Sequence, residues 1–373
     1  CVQFIVFLGA IYLGKRRKSF MIILQVCAYT APYGGNFIAS LLSLDEKLRK
    51  KDIETRYLFP ESVRNTEWCL QIQKKAIVYF AGMNRFSIKT YRQVRDAMKN
   101  ADIIHSHFEL YDCIAALARK KNQRLFWHLH DSFDDEIDLP HRIINKLQYK
   151  YLSQKVTLIS PSRHYANRVE ELGFDNSRIR ELANCIDVRR LKYDGSVLPK
   201  YDFLIFGGFY QVKGLDILLN ACRILRSRYS GWTVGIVGYD STWDWVDKNY
   251  ADLESFIQKL PPSKDISEYY NESSVFLSAS RRECFSYALL EALYMGKPAI
   301  VSEIPGNKWA TKYETVLTFA CENEEELAQC MEQYLNKRHW FSEGAKVKVS
   351  EEVEKMYGIT RWVEEMERIY FES

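Results

Sequence analysis

The sequence predicts an α/β protein with two doubly wound domains, each built on a parallel sheet. The chain has 373 residues, a length that suits two domains of ordinary size. Short apolar runs alternate with amphipathic segments in two series, and residues 188–200 lie between them as a linker without periodicity. Ligands of such sheets bind beyond the carboxyl ends of the strands, so the expected site is a cleft between the domains.

The first series, residues 21–190, is predicted to form the N-terminal domain. Residues 37–50 place apolar side chains at helical spacing and end in a basic turn, which is typical of a helix that covers a sheet. Short apolar runs predict strands at residues 22–26, 54–58, 103–107, 124–128 and 157–160, and residues 182–186 close this series.

The second series, residues 200–345, repeats this alternation and is predicted to form the C-terminal domain. An amphipathic helix near residues 360–371 then ends the sequence. The other predicted elements are strands at 203–206, 233–237, 275–278 and 299–302, and helices at 215–226 and 287–295.

The first 20 residues read differently from the rest of the chain. Residues 2–14 are apolar, but this run is shorter than the ~20 residues that span a bilayer. Basic residues follow at 15–18, whereas a signal peptide places its basic residues first. We expect residues 1–20 to be a leader foreign to the protein, with a native start at Met21. The alternative is the end of a membrane anchor.

Charge is divided unevenly between the two halves. Residues 1–195 hold 32 Lys and Arg against 21 Asp and Glu, a net charge of +11, whereas residues 196–373 hold 20 against 27, or −7. The basic half predicts an anionic partner, either a membrane surface or a phosphate-bearing acceptor, with a solvated basic face as the alternative. No nucleic-acid motif accompanies it. Nine scattered cysteines without a CxxC pair favour reduced thiols in the cytoplasm.

Two glutamates eight residues apart are the most informative pair. Glu283 lies in a polar loop, and Glu291 lies inside an apolar helix that Ser286 is expected to cap and Gly296 to end. The N–H groups at the start of that helix, at Phe285 and Ser286, can hold a diphosphate. The alternative is a helix with one surface glutamate and a loop with another.

Two glycine-containing loops follow predicted strands. Lys213 precedes a helix in the loop that begins at Gly207 and Gly208, where a lysine is a good partner for phosphate. Gly34 and Gly35 follow the first strand and allow a ligand to approach the backbone closely. A surface lysine and an ordinary turn are the alternatives.

Two His-x-His pairs end consecutive predicted strands. They are His105 with His107, and His128 with His130. Residues two apart on a strand share a face, so four imidazoles are expected near one sheet edge. Such a cluster can bind a metal ion, which keeps a metal-dependent hydrolase as an alternative function.

Together these motifs resemble the retaining GT-B glycosyltransferases, most closely the family-4 group. The resemblance covers about residues 21–371. It implies two Rossmann-like domains that face each other across a cleft, with a helix near residues 358–373 that crosses back to the first domain. The residues that carry it are Ser280, Glu283-x7-Glu291, Gly296-Lys297-Pro298, the loop ending in Lys213-Gly214, His130, and Asn184-Cys185-Ile186-Asp187.

The resemblance also implies roles for these residues. Glu291 binds the ribose of a nucleotide sugar, Glu283 binds the donor sugar, and Lys213 contacts the diphosphate. His130 stabilises developing positive charge and orients the acceptor, while the other three histidines pack behind it. The remaining donor-binding residues are Gly34, Gly35, Cys284, Phe285 and Ser286.

The implied function is transfer of a hexosyl unit from a nucleotide diphosphate sugar, with UDP as the expected nucleotide, to a hydroxyl group with retention. We expect a carbohydrate or lipid-linked acceptor from bacterial surface polysaccharide or glycolipid synthesis, no cofactor or metal, and a cytoplasmic location, with a peripheral position at the inner face of the membrane as a further option. The acidic run at residues 134–138 is expected to be a solvated loop, not a metal-binding Asp-x-Asp motif.

One departure from the family pattern concerns the diphosphate. Gly208 stands where the family commonly has an arginine, so one cation is missing, and Arg281 or Arg282 is the expected replacement. A weaker donor site keeps a further alternative open, a protein that binds a nucleotide sugar without turnover.

Overall fold

The computed structural model describes residues 20–130, 143, 146–336 and 341–372. Residues 1–19 and the acidic run at 134–138 lie outside this part of the chain. Its strands are β1 Ile22–Cys27, β2 Glu54–Pro60, β3 Val78–Ala81, β4 Ile103–His107, β5 Arg124–His128, β6 Val156–Ser160, β7 Ile179–Glu181, β8 Tyr201–Phe206, β9 Val234–Val237, β10 Ile257–Leu260, β11 Ser273–Ser278, β12 Ala299–Ser302 and β13 Val316–Phe319. Its α-helices are Gly35–Arg49, Glu67–Gln73, Ile88–Met98, Asp112–Ala118, Arg163–Glu171, Leu215–Arg226, Asp240–Tyr250, Ser267–Asn271, Tyr287–Tyr294, Glu324–Asn336, Glu343–Tyr357 and Ile359–Glu372.

The strands form two parallel sheets. The first has the order β3-β2-β1-β4-β5-β6-β7 and the second the order β10-β9-β8-β11-β12-β13. In each sheet the strand order reverses direction once, between β1 and β4 and between β8 and β11. Crevices for ligands form at such points beyond the carboxyl ends of the strands. The predicted fold class, two doubly wound Rossmann-like domains, is confirmed.

The sequence located the central elements better than the sheet edges. Strands β4, β5 and β12 and helix Leu215–Arg226 have the predicted bounds. Residues 182–186, which close the first series, form no strand, because the edge strand β7 ends at Glu181 and the chain then leaves the sheet. Strands β3, β7, β10 and β13 were not predicted. They are short, partly exposed edge strands without a clear apolar alternation.

Helix Ile359–Glu372 packs on the first sheet although it follows the second domain in sequence. Its residues Trp362, Met366 and Tyr370 are buried in one cluster with Ile103 and Phe126 of β4 and β5. The chain crosses back beside residue 186, whose backbone N–H donates to the carbonyl of residue 357 at 2.8 Å. The predicted crossing back of the last helix is confirmed.

The two sheets have separate apolar cores. One buried cluster fills the first domain around Leu24, Ile104 and Leu158, and another fills the second around Phe203, Val234 and Leu277. The helices of the described residues include none that is long and apolar enough to cross a membrane.

Candidate functional site

A cleft of about 680 Å³ lies between the carboxyl edges of the two sheets. Its lining comes from both domains, including Phe108 after β4, Phe206 at the end of β8 and Tyr239 after β9. All the site residues that the sequence predicts line this one cleft: Gly34, Gly35, His130, Lys213, Glu283, Cys284, Phe285, Ser286 and Glu291. The structure therefore brings the predicted residues together, although they come from five separate segments of the chain.

The loop after β11 is held in place by a capped helix and by packing. The Ser286 hydroxyl accepts from the backbone N–H of residue 289, so Ser286 caps helix Tyr287–Tyr294 as predicted. The Phe285 ring is buried and stacks on Trp309 with ring centres 4.8 Å apart. Cys284 is buried against the core of the first domain. These contacts fix the loop backbone beside the cleft.

Glu283 forms an ion pair with Lys213 across the cleft wall. Glu283 Oε1 lies 2.5 Å from Lys213 Nζ and accepts from the Ser280 hydroxyl at 2.9 Å. The backbone carbonyl of Glu283 accepts from the Tyr165 hydroxyl of the first domain at 2.7 Å. The lysine expected to contact the diphosphate and the glutamate expected to contact the sugar are therefore paired with each other.

The backbone of the Lys213 loop depends on a glycine. Gly214 has a φ of +61° in the left-handed region, and helix Leu215–Arg226 begins directly after it. A Cβ atom built on Gly214 would lie only 2.0 Å from the carbonyl oxygen of Ala279. A side chain at this position would force the Lys213 loop and the loop after β11 apart.

Gly208 faces a tyrosine, and Arg281 is bound to two carboxylates. A Cβ atom on Gly208 would lie 2.9 Å from Cε2 of Tyr239, so the Tyr239 ring fills the space of a larger residue. Arg281 donates to both carboxylate oxygens of Asp216, at 2.8 and 2.7 Å, and pairs with Glu322. Two carboxylates therefore hold the guanidinium group of Arg281, one of the two expected replacements for the missing arginine.

Glu291 joins the two domains from inside the cleft. Its Oε1 accepts from Asn36 Nδ2 at 2.7 Å and from Arg190 Nη1 at 3.4 Å, and its Oε2 accepts from the Tyr270 hydroxyl at 3.1 Å. Asn36 Oδ1 in turn accepts from the backbone N–H of Asp187 at 3.1 Å. Burial raises the pKa of Glu291 to about 7, although the Arg190 charge lowers it.

This pKa predicts how stability depends on pH. The folded Glu291 carboxyl keeps its proton up to about pH 7, whereas in the unfolded chain it titrates near 4.5. Folding is therefore favoured by this group below pH 4.5, and the contribution is lost as the pH rises towards 7. The full difference is on the order of 3 kcal/mol.

We expect Glu291→Gln to remove this loss in urea unfolding experiments across that pH range. Glu272→Gln is the control, since it replaces another buried glutamate, one that pairs with Lys200 outside the cleft. If the two variants show the same pH profile, the shift does not belong to Glu291.

The first helix begins at the cleft. Gly35 has a φ of +56°, and helix Gly35–Arg49 starts with its backbone beside Tyr29. The Tyr29 hydroxyl donates to the carbonyl oxygens of Tyr33 and Gly34, at 2.8 and 3.2 Å. This arrangement presents the Gly34–Gly35 backbone to the space in front of Lys213 and Glu291.

The four strand-end histidines cluster at one sheet edge, as the two-residue spacing predicts. Ring centres lie 4.0 Å apart for His105 and His107 and 4.5 Å apart for His128 and His130. Burial lowers the pKa of all four imidazoles, so they are neutral at pH 7. His130 lines the cleft, and its ring packs on Phe108 at 4.4 Å.

Three of these histidines are close enough to share a metal ion. The possible ligand atoms of His105, His107 and His128 lie within 4.8 Å of one another. However, both ring nitrogens of His107 are engaged by protein groups, Nδ1 with His130 and Nε2 with Gln25, each at 3.0 Å. A metal ion bound to His107 would have to displace one of these bonds, whereas His105 Nε2 and both ring nitrogens of His128 have no hydrogen-bond partner among the described residues.

Sequence reasoning missed the residues that hold the predicted ones. Asn36 and Arg190 bind Glu291 from the other domain, 255 and 101 positions away in sequence. Asn36 directly follows the Gly34–Gly35 pair, and its polar side chain on the buried face of a helix was the available signal. Arg190 carries no local signal, because its role depends on how the domains dock. Tyr270 meets Glu291 within the second domain, through the packing of two helices that the sequence does not report.

Two family profiles match the chain. The profile described as "Glycosyltransferase Family 4" matches residues 41–190, and the profile described as "Glycosyl transferases group 1" matches residues 200–337. Together they cover well over half of the chain, one on each domain.

Two curated relatives are each less than 30% identical to this chain. An uncharacterized glycosyltransferase of Haemophilus influenzae is 28% identical over 178 residues, which are 46% of this chain and 49% of that protein. A GDP-mannose:cellobiosyl-diphosphopolyprenol alpha-mannosyltransferase of Xanthomonas oryzae pv. oryzae is 24% identical over 261 residues, 65% of this chain and 66% of that protein. Each match spans less than two thirds of the relative's own length.

Among solved structures, Anabaena Alr3699/HepE in complex with UDP-glucose superposes with a TM-score of 0.78 at 14% identity. The match covers 95% of this chain and 100% of that chain. At this identity the likeness shows the fold alone. The two profiles and the shared two-sheet architecture show that this chain belongs to the family-4, or group 1, glycosyltransferases of the GT-B fold.

Proposed function

We propose that the protein transfers a hexosyl unit from a nucleotide diphosphate sugar to a hydroxyl group of an acceptor. One observation carries this proposal: Lys213, Glu283 and Glu291 line a single cleft at the carboxyl edges of two parallel sheets. A cation beside a helix N-terminus suits a diphosphate, and two carboxylates suit the hydroxyl groups of a sugar and a ribose. Family membership supports the same reaction class.

In the proposed reaction, donor binding breaks the ion pair between Lys213 and Glu283, and each residue then binds a group of the donor. The diphosphate takes Lys213, and Glu283 is then free to accept hydrogen bonds from hydroxyl groups of the donor sugar. Lys213 and the first turn of helix Tyr287–Tyr294 stabilise the negative charge that develops on the leaving diphosphate. His130 is neutral, so it does not repel positive charge that develops on the sugar ring.

Glu291 is proposed to bind the ribose. To do so, its carboxylate must exchange Asn36 or Arg190 for ribose hydroxyl groups, since both of its oxygens are already in use. Because Asn36 and Arg190 belong to the first domain, donor binding would change a contact between the domains. This exchange gives a physical link between donor binding and closure of the cleft.

We propose a UDP-sugar as donor and a carbohydrate or lipid-linked sugar as acceptor, with retention of configuration and no metal requirement. The name of the Xanthomonas relative specifies GDP-mannose and a diphosphopolyprenol-linked acceptor, whereas the Anabaena structure holds UDP-glucose. Both are nucleotide diphosphate hexoses. The engaged ring nitrogens of His107 argue against this residue as a metal ligand.

The test is a turnover assay with metal-stripped protein in EDTA. UDP- and GDP-hexoses are each supplied with a polyprenyl-diphosphate-linked disaccharide, and NMR reads the anomeric configuration of the product. Transfer from a UDP-sugar with retention supports the full proposal, and transfer from GDP-mannose corrects the nucleotide. Donor binding without transfer would favour the binding-protein alternative. Activity only after zinc addition would favour the metal-dependent alternative.

We further propose that an exposed surface of the N-terminal domain contacts an anionic membrane. The loop after β3 presents Phe86, and the helix that follows it begins with Ile88, with exposures of 81% and 69%. Residues 83–99 also contain five Lys and Arg residues and a single acidic residue, Asp96. Exposed aromatic and aliphatic tips among cations suit the interface of an anionic bilayer.

We expect Lys89→Glu with Arg92→Glu to weaken binding to phosphatidylglycerol vesicles by about 100-fold or more, since each cation near the surface contributes about 1 kcal/mol. Phe86→Ala is expected to weaken binding at high salt as well, where charge is screened. Leu198→Ala, at an 83% exposed leucine of the linker, is the control. Equal vesicle binding by all four proteins in a sedimentation assay would contradict the membrane proposal.

A further inference from the structure

A chain of hydrogen-bonded side chains runs from the cleft to the last helix. His130 Nε2 lies 3.0 Å from His107 Nδ1, and His107 Nε2 lies 3.0 Å from Gln25 Oε1. Gln25 Nε2 donates to the Tyr370 hydroxyl at 3.0 Å, and that oxygen lies 2.6 Å from His105 Nδ1. The four side chains behind His130 are almost completely buried, each at most 1% exposed.

The local sequence explains why these groups meet. Strands β1 and β4 are neighbours, and their register pairs Gln25 with His105. Alternate residues of a strand share a face, so Gln25, His105 and His107 all lie on the face that the last helix covers. Tyr370, near the end of that helix, supplies the hydroxyl that connects two of them.

The donors and acceptors along this chain determine which ring nitrogens carry protons. Gln25 Oε1 can only accept, so His107 Nε2 must carry a proton. A neutral His107 then has a bare Nδ1, which accepts from His130, so His130 must carry its proton on Nε2. The Nδ1 of His130 is left as an acceptor, and it has no protein partner among the described residues.

The orientation of the Gln25 amide decides which group donates and which accepts at every hydrogen bond between these side chains. A turned amide would place its NH2 group against His107, which would reverse every donor and acceptor and move the His130 proton to Nδ1. Tyr370 holds one end of that amide. Its hydroxyl can donate or accept, so it anchors the amide in place, and the Nε2–H form of His130 follows from the orientation in which Gln25 Nε2 faces Tyr370.

We propose that Gln25 and Tyr370 are positioning residues that hold His130 as the Nε2–H tautomer and fix the plane of its ring at the cleft. This inference rests on the proposed function, in which His130 contacts the donor sugar and the acceptor. It makes the docked last helix a requirement for full activity, although this helix contributes no residue to the cleft lining described above.

The test combines histidine NMR with kinetics on Tyr370→Phe and Gln25→Leu. Tyr370→Phe removes a single hydroxyl and keeps the buried ring, so the variant is expected to fold with a similar melting temperature. In ¹⁵N-histidine spectra of the wild-type protein, His107 and His130 are expected as single Nε2–H tautomers. In Tyr370→Phe, both are expected to show a share of the Nδ1–H form. The expected fall in kcat is about 10-fold, the scale of one hydrogen bond, with the donor KM unchanged.

Gln25→Leu is expected to give the same changes more completely, because it removes both bonds of the amide. Tyr313→Phe is the control, since it removes a buried hydroxyl that has no partner among the described residues. It should leave the spectra and kcat as they are. A wild-type His130 protonated on Nδ1, unchanged tautomers in Tyr370→Phe, or an unchanged kcat would each overturn the inference. The spectra need no donor, so a failure of the proposed function would appear separately, as absent turnover.

Discussion

Lys213→Ala is expected to lower kcat by about 100- to 1,000-fold, the usual cost of removing one group that stabilises charge developing in a transition state. Lys213 is the cation beside the capped helix, and Arg281 cannot replace it while Asp216 and Glu322 hold its guanidinium group. The variant also leaves Glu283 without the cation that it now pairs with. The measurement is steady-state turnover with a nucleotide diphosphate sugar at saturating acceptor.

Two further variants make this prediction specific. Lys259→Ala is the control, because Lys259 lies in the same domain as Lys213 and pairs with Asp247 outside the cleft. It should keep wild-type kcat. Lys213→Arg should recover part of the lost rate, since it restores the charge with a different geometry. Wild-type kcat in Lys213→Ala would remove Lys213 from the diphosphate site.

Glu291→Ala is expected to weaken binding of the nucleotide sugar by about 10- to 100-fold. The variant removes the carboxylate proposed to accept from ribose hydroxyl groups. Because binding the ribose also displaces Asn36 or Arg190, the net loss is about one hydrogen bond to a charged group, or about 1.5–3 kcal/mol. The variant also leaves Asn36 Nδ2 without its acceptor, whereas Arg190 Nη1 keeps Asn36 Oδ1 at 2.9 Å. The change should appear in calorimetric affinity and in KM more than in kcat, because the ribose is remote from the reacting bond.

Asn36→Ala separates ribose binding from the contact between the domains. It breaks one of the two bonds that Glu291 receives from the first domain and removes the acceptor of the Asp187 N–H, but it leaves the Arg190 bond and the Glu291 carboxylate in place. We expect affinity to stay within a few-fold of wild type, since one neutral donor is lost. If Asn36→Ala loses as much affinity as Glu291→Ala, then Glu291 acts by joining the domains and not by binding the ribose.

Local sequence patterns predict most of the fold and the set of site residues. The bounds of strands β4 and β5 agree with the prediction because their buried apolar residues are followed by histidines at the strand ends. The site residues sit at strand ends and helix starts, and parallel topology brings such positions to one edge. That geometric rule explains why the sequence predicts a single cleft for site residues that range from Gly34 to Glu291.

The partners of those residues could not be read in the same way. The Lys213–Glu283 pair and the Glu291–Arg190 contact join groups 70 and 101 positions apart, so no local periodicity reports them. The sequence shows only that Gly208 lacks the charge of an arginine. The structure shows that the Tyr239 ring fills the space that a larger residue at 208 would need. The edge strands escaped for another reason. Partial exposure weakens the alternation by which strands are recognised.

The most direct measurement of the central claim is a calorimetric titration of metal-stripped protein, in EDTA, with UDP, GDP, UDP-hexoses and GDP-mannose. The account predicts that one nucleotide and its sugars bind with one-to-one stoichiometry without any metal, and that UDP is that nucleotide. Binding of GDP in its place would change the donor and leave the cleft assignment intact. Absence of binding by every nucleotide, together with stoichiometric zinc uptake by the cluster of His105, His107 and His128, would contradict the account.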